Sequence, residues 1–120
     1  MKFDDENVMA SLEAATDGEL DALEFGVVAM APSGNVLAYN RAEAEKAGLT
    51  ASGVIGKNFF QAVAPCTNNF MVAQRFESEP ELDAIIDYTF TFRLRPTKVK
   101  LRLLRSEAAK RIYLLVDWRR

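Results

Sequence analysis

Ile86-Asp87-Tyr88-Thr89-Phe90-Thr91-Phe92-Arg93-Leu94-Arg95 alternates apolar or aromatic residues with polar ones along its whole length. A period of two marks a half-buried strand, with one face on a core and the other in water. Pro96-Thr97 predicts a turn. After it Val99, Leu101 and Leu103 alternate with Lys98, Lys100 and Arg102, and Ile112, Leu114 and Val116 form a last strand beyond a polar turn near residues 107–111. The C-terminal third is therefore a run of three strands.

Working outward, the short apolar runs Phe25 to Met30 and Val36 to Tyr39 flank Ala31-Pro32-Ser33-Gly34-Asn35, a turn-rich connection that makes them an antiparallel hairpin. Asn40 then caps a helix with Glu43 three residues on, as in a capping box. Gly48, Gly53 and Gly56 divide the next stretch of chain into brief helical pieces, and a longer helix is expected from about Phe70 through Arg75, ending before Pro80. At the N-terminus Leu12, Ala15, Leu20 and Leu23 sit at loose helical spacing around Thr16-Asp17-Gly18, which predicts two short helices with a capped break. The order is thus two strands, helices, three strands. An α+β arrangement buries every stripe: a five-stranded antiparallel sheet with helices on one face and an acidic helical cap on the other. Residues 1–25 form the cap and 26–120 the core of a single domain. That topology resembles a PAS domain, a fold that hosts many ligands.

Composition narrows the function. At 120 residues and 49% apolar, the chain can bury one core. It contains no histidine, which removes the usual general base and the commonest metal and haem ligand, and with one cysteine it leaves no plausible zinc or iron–sulfur site. Hydrolysis and metal redox chemistry are disfavoured; binding, sensing or an organic cofactor are favoured. The lone cysteine cannot form an internal disulfide. No apolar run is long enough to cross a bilayer, and the start is acidic where a secretory signal would be basic, so a soluble cytoplasmic protein that does not bind membranes is expected. Residues 1–25 hold eight acids against Lys2, a net of minus seven, whereas residues 93–105 carry six bases and no acid. A nucleic-acid surface would need a motif that is missing here, so no nucleic-acid partner is expected; the acidic cap docking on the basic strands is the reading adopted.

Val54-Ile55-Gly56-Lys57-Asn58-Phe59-Phe60-Gln61-Ala62-Val63-Ala64-Pro65-Cys66-Thr67 resembles the chromophore-attachment signature of the photoactive yellow protein family. The resemblance continues through Gly34 to Asn40 with Glu43 following, through Tyr88-Thr89-Phe90 and through Pro96 to Lys100. It implies a blue-light receptor in which Cys66 carries 4-hydroxycinnamic acid (p-coumaric acid) as a thioester, with Tyr39 and Glu43 holding its phenolic oxygen. The walls of that site would be Phe59, Phe90, Phe92, Leu94, Ala47, Leu49, Val63, Ala64, Pro65 and Thr67. Read without the resemblance, Cys66 is an inert small core residue, Tyr39 a strand end and Glu43 half of a capping box.

The assigned roles are physically sensible. A buried phenol stays neutral unless donors stabilise its anion, and a carboxyl removed from water next to such an anion keeps its proton. The resemblance further implies that trans–cis photoisomerisation is followed by proton transfer from Glu43. A buried carboxylate without a counter-ion costs several kcal/mol, comparable with the stability of a small domain. Detachment of the short acidic cap relieves that cost and serves as the signal to a downstream signalling protein of unknown identity. A monomer or weak dimer is expected. The rival reading is a PAS module that binds a ligand or protein without a pigment; a flavin sensor lacks its motif, a haem sensor its histidine, and an enzyme using Cys66 its base.

The sequence departs from the family pattern at several positions. Ala47 stands where the family has a threonine supporting the tyrosine, Leu49 where it has an arginine, Phe92 for a tyrosine and Leu94 for a methionine, and the last strand offers Tyr113 where a tryptophan is usual. The segment after Cys66 is about three residues shorter, by the same alignment of motifs. A branched leucine adapts less readily than a thioether to a rotating double bond, so slow thermal recovery is expected. Flash photolysis of the pigmented protein checks this: Leu94→Met should recover faster, and an unchanged rate would exclude Leu94 as the cause.

Overall fold

The alternating segments do become strands in the computed structural model, which describes residues 1–92 and 95–119. The Phe92 side chain, Arg93, Leu94 and Arg120 lie outside the described residues, and so do the expectations placed on Phe92 and Leu94. The order is α1 (Val8–Ala14), α2 (Asp17–Asp21), β1 (Gly26–Met30), β2 (Val36–Tyr39), α3 (Arg41–Ala47), α4 (Ala51–Val54), a π-helical turn (Phe59–Val63), a 3-10 turn (Pro65–Thr67), α5 (Ala73–Ser78), β3 (Leu82–Phe92), β4 (Arg95–Arg105) and β5 (Ile112–Asp117). The five strands form one antiparallel sheet in the order β2-β1-β5-β4-β3.

β1 and β5 are inner strands of this order, and both their faces are buried. The sheet therefore separates two apolar clusters. On one side Val28, Met30, Leu101, Leu103, Leu114 and Val116 meet Phe59, Phe60, Val72 and Phe76 from the connecting helices. On the other, Val27, Ala29, Leu104, Tyr113 and Leu115 meet Phe3, Val8, Leu12, Leu20 and Phe25. The expected break between α1 and α2 is a full capping box, Thr16 Oγ1 accepting from the Glu19 N–H and the Glu19 carboxylate from the Thr16 N–H.

Three expectations need correction. Pro96-Thr97 does not turn the chain: both residues lie in β4, opposite Thr91 and Phe90 of β3. The helix expected from Phe70 begins only at Ala73, because Asn69 folds residues 69–72 into a turn, its Oδ1 accepting the Met71 and Val72 N–H groups. Phe70 is left 73% exposed. Charge is also not the main attachment of the cap: the cluster around Leu12 and the edge-to-face pair Phe3–Phe25, 5.9 Å between centroids, bury apolar surface that charge counting overlooks. Of the basic run, Arg102 reaches the cap. It is buried on the sheet, pairs with both carboxylate oxygens of Asp83, and donates to the Phe3 and Asp5 carbonyls at 3.0 and 2.7 Å. Lys100 meets Asp87 at 3.8 Å with both side chains well exposed, a pair of little energetic weight.

Arg102→Ala would strand two carbonyls at a cost of about 1–3 kcal/mol. Amide hydrogen exchange should then show faster local opening of residues 1–14 with strands β1 and β5 still protected; uniform protection across both would place the anchoring of the cap elsewhere.

Candidate functional site

β2 ends on Tyr39 and the chain turns at once into α3, so that a strand end and the first helical turn present Tyr39 and Glu43 to the interior. Asn40 makes the corner. Its Oδ1 accepts the N–H groups of Val27 and Glu43 at 2.9 and 3.1 Å, and its Nδ2 donates to the Leu20 and Phe25 carbonyls at 2.9 and 3.0 Å. One buried amide thus joins the cap, β1 and α3. Gly48, at φ 71°, ends α3 in the left-handed conformation that favours glycine.

The capping box expected here is only half formed. The Asn40 N–H goes to the Val27 carbonyl, and the Glu43 side chain turns into the protein instead of back to the helix start. Gly26 makes room for it: a Cβ there would land on Glu43 Oε1 and within 3.0 Å of its Cδ. Trp118 supplies the partner, its indole N–H donating to Oε1 at 2.7 Å. Glu43 Oε2 and the Tyr39 hydroxyl are buried with no hydrogen-bond partner among the described residues. Native interiors rarely leave such groups unmet, since each costs about 1–3 kcal/mol.

Their protonation follows from burial. Desolvation pushes the Glu43 carboxyl up to about 8, with the Trp118 hydrogen bond pulling the other way. Burial raises Tyr39 as well, and the neighbouring Glu43 charge raises it further. At neutral pH both side chains therefore carry a proton, and each is a donor lacking an acceptor. Such a pair is suited to an anionic or strongly accepting oxygen.

Cys66 lies on the 3-10 turn that comes after the π-helical turn. Asn58 Oδ1 caps the latter by accepting from Phe60 and Gln61, both at 3.1 Å, and Thr67 Oγ1 closes the former on the Ala64 carbonyl at 2.7 Å. The Cys66 carbonyl is pinned by the Tyr88 hydroxyl at 2.6 Å and by Asn69 Nδ2 at 3.1 Å. Asn69 Nδ2 also donates to the Tyr88 oxygen at 2.6 Å. The thiol is free and half-buried.

One apolar cluster collects Tyr39, Phe59, Val63, Ala64 and Phe90, with Cys66, Leu49, Tyr88 and Trp118 packed against it. Thr67 is buried below the turn, and Ala47 is buried at the end of α3. Pro65 is exposed; its part is to start the 3-10 turn. Tyr113 is not in this cluster. Strand alternation sends it to the cap side, where its hydroxyl donates to Glu13 at 2.5 Å. The aromatic ring on the site side is Trp118, 5.4 Å from Phe90, and sequence reasoning overlooked it although it continues the two-residue period of Leu114 and Val116. Asn69 and Gly26 were missed too, with no local signal to find them; Tyr88 was visible only as part of a motif. No helix among the described residues is long and apolar enough to cross a membrane, and no cluster among them would hold a metal ion.

Comparison with known proteins places this geometry. The model of the PAS fold matches residues 15–119. The photoactive yellow protein of Rhodothalassium salexigens is 34% identical over 119 residues, 97% of this chain and 95% of that one. That of Halochromatium salexigens is 36% identical over 107 residues, 87% of this chain and 86% of its own. The crystal structure of the photoactive yellow protein domain of the sensor histidine kinase Ppr from Rhodospirillum centenum superposes with a TM-score of 0.81 at 34% identity, covering 89% of this chain and 96% of that domain. A PAS domain of an HTR-like protein from Haloarcula marismortui, 14% identical with a TM-score of 0.66, shares the fold. Relatives of this name support a PAS-fold photoreceptor.

Glu43 titrates higher in the folded protein, about 8, than its ordinary 4.5, so the folded state binds more protons between those values and stability falls as pH rises through that window. Urea unfolding at pH 5, 7 and 9 should show wild type losing ground to Glu43→Gln toward pH 9. Parallel pH profiles for the two proteins would mean that Glu43 is not held as a neutral acid.

Proposed function

Since the chain belongs to the photoactive yellow protein family of PAS-fold proteins, we propose that it is a blue-light receptor carrying 4-hydroxycinnamic acid as a thioester on Cys66. What supports this above all is the pair of buried donors, Tyr39 in the cluster against which the cysteine packs and Glu43 beneath Trp118, left without acceptors among the described residues. The acid, when bound, supplies a conjugated phenol that ionises and a double bond that isomerises in light. Tyr39 and Oε2 of Glu43 would hold the phenolate oxygen, each donating one charge-assisted hydrogen bond. Phe59, Phe90, Val63 and Ala64 keep water out, and the bonds from Tyr88 and Asn69 fix the backbone that bears the thiol.

Loss of the Oε2 proton is the step that this arrangement turns into a signal. It leaves a carboxylate with no exposed surface, steadied at Oε1 by the Trp118 indole alone among the described residues. The cost is several kcal/mol, a large share of a small domain's stability. Asn40 binds both the Glu43 N–H and two carbonyls of residues 20–25, so a shift of α3 loosens the cap at its base. Partial release of α1 and α2 is then the least costly response and the surface offered to a downstream signalling protein.

Incubating the apoprotein with an activated ester of 4-hydroxycinnamic acid tests the proposal. A carbon–sulfur bond forms at Cys66 Sγ, while the ester's leaving group departs and the thiol proton passes to solvent. The expected product gains the acyl mass and a visible band that blue light bleaches, both lost in Cys66→Ala. A colourless product of unchanged mass would reduce the chain to a PAS module that works without a pigment.

A further inference from the structure

Trp118 is the only tryptophan of the chain and comes directly after β5. Its indole reaches in two directions. Inward, the ring meets Phe90 edge-to-face and its N–H donates to Glu43 Oε1 at 2.7 Å. Outward, it lines a surface cleft between the end of α3 at Glu45 to Gly48 and the start of β4 at Arg95 to Thr97. The backbone on either side is tied down, for Asp117 accepts both the Arg119 N–H at 3.0 Å and its guanidinium at 3.1 Å.

An indole N–H can only donate, so the oxygen it meets must be an acceptor. In a neutral carboxyl the carbonyl oxygen is the stronger acceptor, so this bond favours the proton on Oε2, the oxygen with no partner of its own among the described residues. Oε1 occupies the space that a side chain at Gly26 would fill, so both the glycine and the indole lie at this oxygen. We propose that Trp118 is a positioning residue for Glu43: its N–H assigns the two carboxyl oxygens separate duties, Oε1 to the indole and Oε2 to the transferable proton. The same bond steadies the carboxylate once that proton has gone. This role does not depend on a pigment and can be read in the unpigmented protein.

Trp118→Phe keeps an aromatic ring against Phe90 and deletes the N–H. The infrared carbonyl stretch of protonated Glu43, isolated by subtracting the Glu43→Gln spectrum, should move to higher frequency in Trp118→Phe, and its titration midpoint should rise by about one pH unit. Trp118 also reports on itself, because indole fluorescence in the wild type should change through the same transition near pH 8. Glu43→Gln should abolish that step, which assigns it to Glu43 rather than to Tyr39 on β2, Glu45 or Lys46 on α3, Arg95 on β4, or Asp117 and Arg119 beside the ring. A role in packing alone would leave the carbonyl band and midpoint of Trp118→Phe at their wild-type values, and that result would overturn the proposal. So would a fluorescence step that persists in Glu43→Gln, a readout that holds even if Trp118→Phe does not fold. In the pigmented protein, Trp118→Phe should shorten the lifetime of the light-induced state about tenfold, as fits the loss of one hydrogen bond to a charged group. A colourless protein would remove only this last comparison and leave the first two standing.

Discussion

A carboxylic acid sealed inside a small protein, bonded through one oxygen and without a partner at the other among the described residues, sets the terms for the rest of this molecule. Glu43 stays neutral because it is buried, with Gly26 and the Trp118 indole at its carboxyl. Its free oxygen and the Tyr39 hydroxyl amount to a standing deficit of two acceptors, a few kcal/mol that the surrounding core has to offset. Proteins tolerate such deficits where a ligand relieves them.

The sheet converts this local condition into something the whole domain can feel. One face holds the acid and the cysteine, the other holds the N-terminal helices, and the buried strands β1 and β5 lie between. Asn40 sits where these layers meet, with its amide spent on the cap, on β1 and on α3 at once. In the proposed signalling step, solvating a charge on Glu43 would move α3 and so disturb that amide. The cap is nevertheless no loose appendage. Leu12, Leu20 and the Phe3–Phe25 pair anchor it by apolar burial, a hydrophobic cost that the proposed release would have to meet.

The sheet was legible in the sequence because the period of two is written plainly through Ile86 to Leu103, and the hairpin because its turn residues are unambiguous. The site was partly legible: the motif around Cys66 and the spacing of Tyr39, Asn40 and Glu43 point to it, and the cluster does collect Cys66, Tyr39, Phe59, Phe90, Val63 and Ala64. What local pattern could not supply were contacts between distant segments. Trp118 meets Glu43 across 75 positions, and Gly26 makes room for the same side chain from β1. Glu43 fits a capping box by spacing, yet the opportunity for burial outweighs the local bond. Tyr113 faces the cap by the same alternation that turns Ile112 and Leu114 to the site side.

The central claim is that Tyr39 and Glu43 are donors to a buried anionic oxygen, and its most direct measurement is the pH at which the loaded protein loses its long-wavelength band. A phenol in water ionises near pH 10, in rough terms. With both donors present the band should persist to well below neutrality, and Tyr39→Phe or Glu43→Ala should each move its loss to higher pH. A band that titrates near the free phenol's value in all three proteins, or one indifferent to both substitutions, would contradict the account.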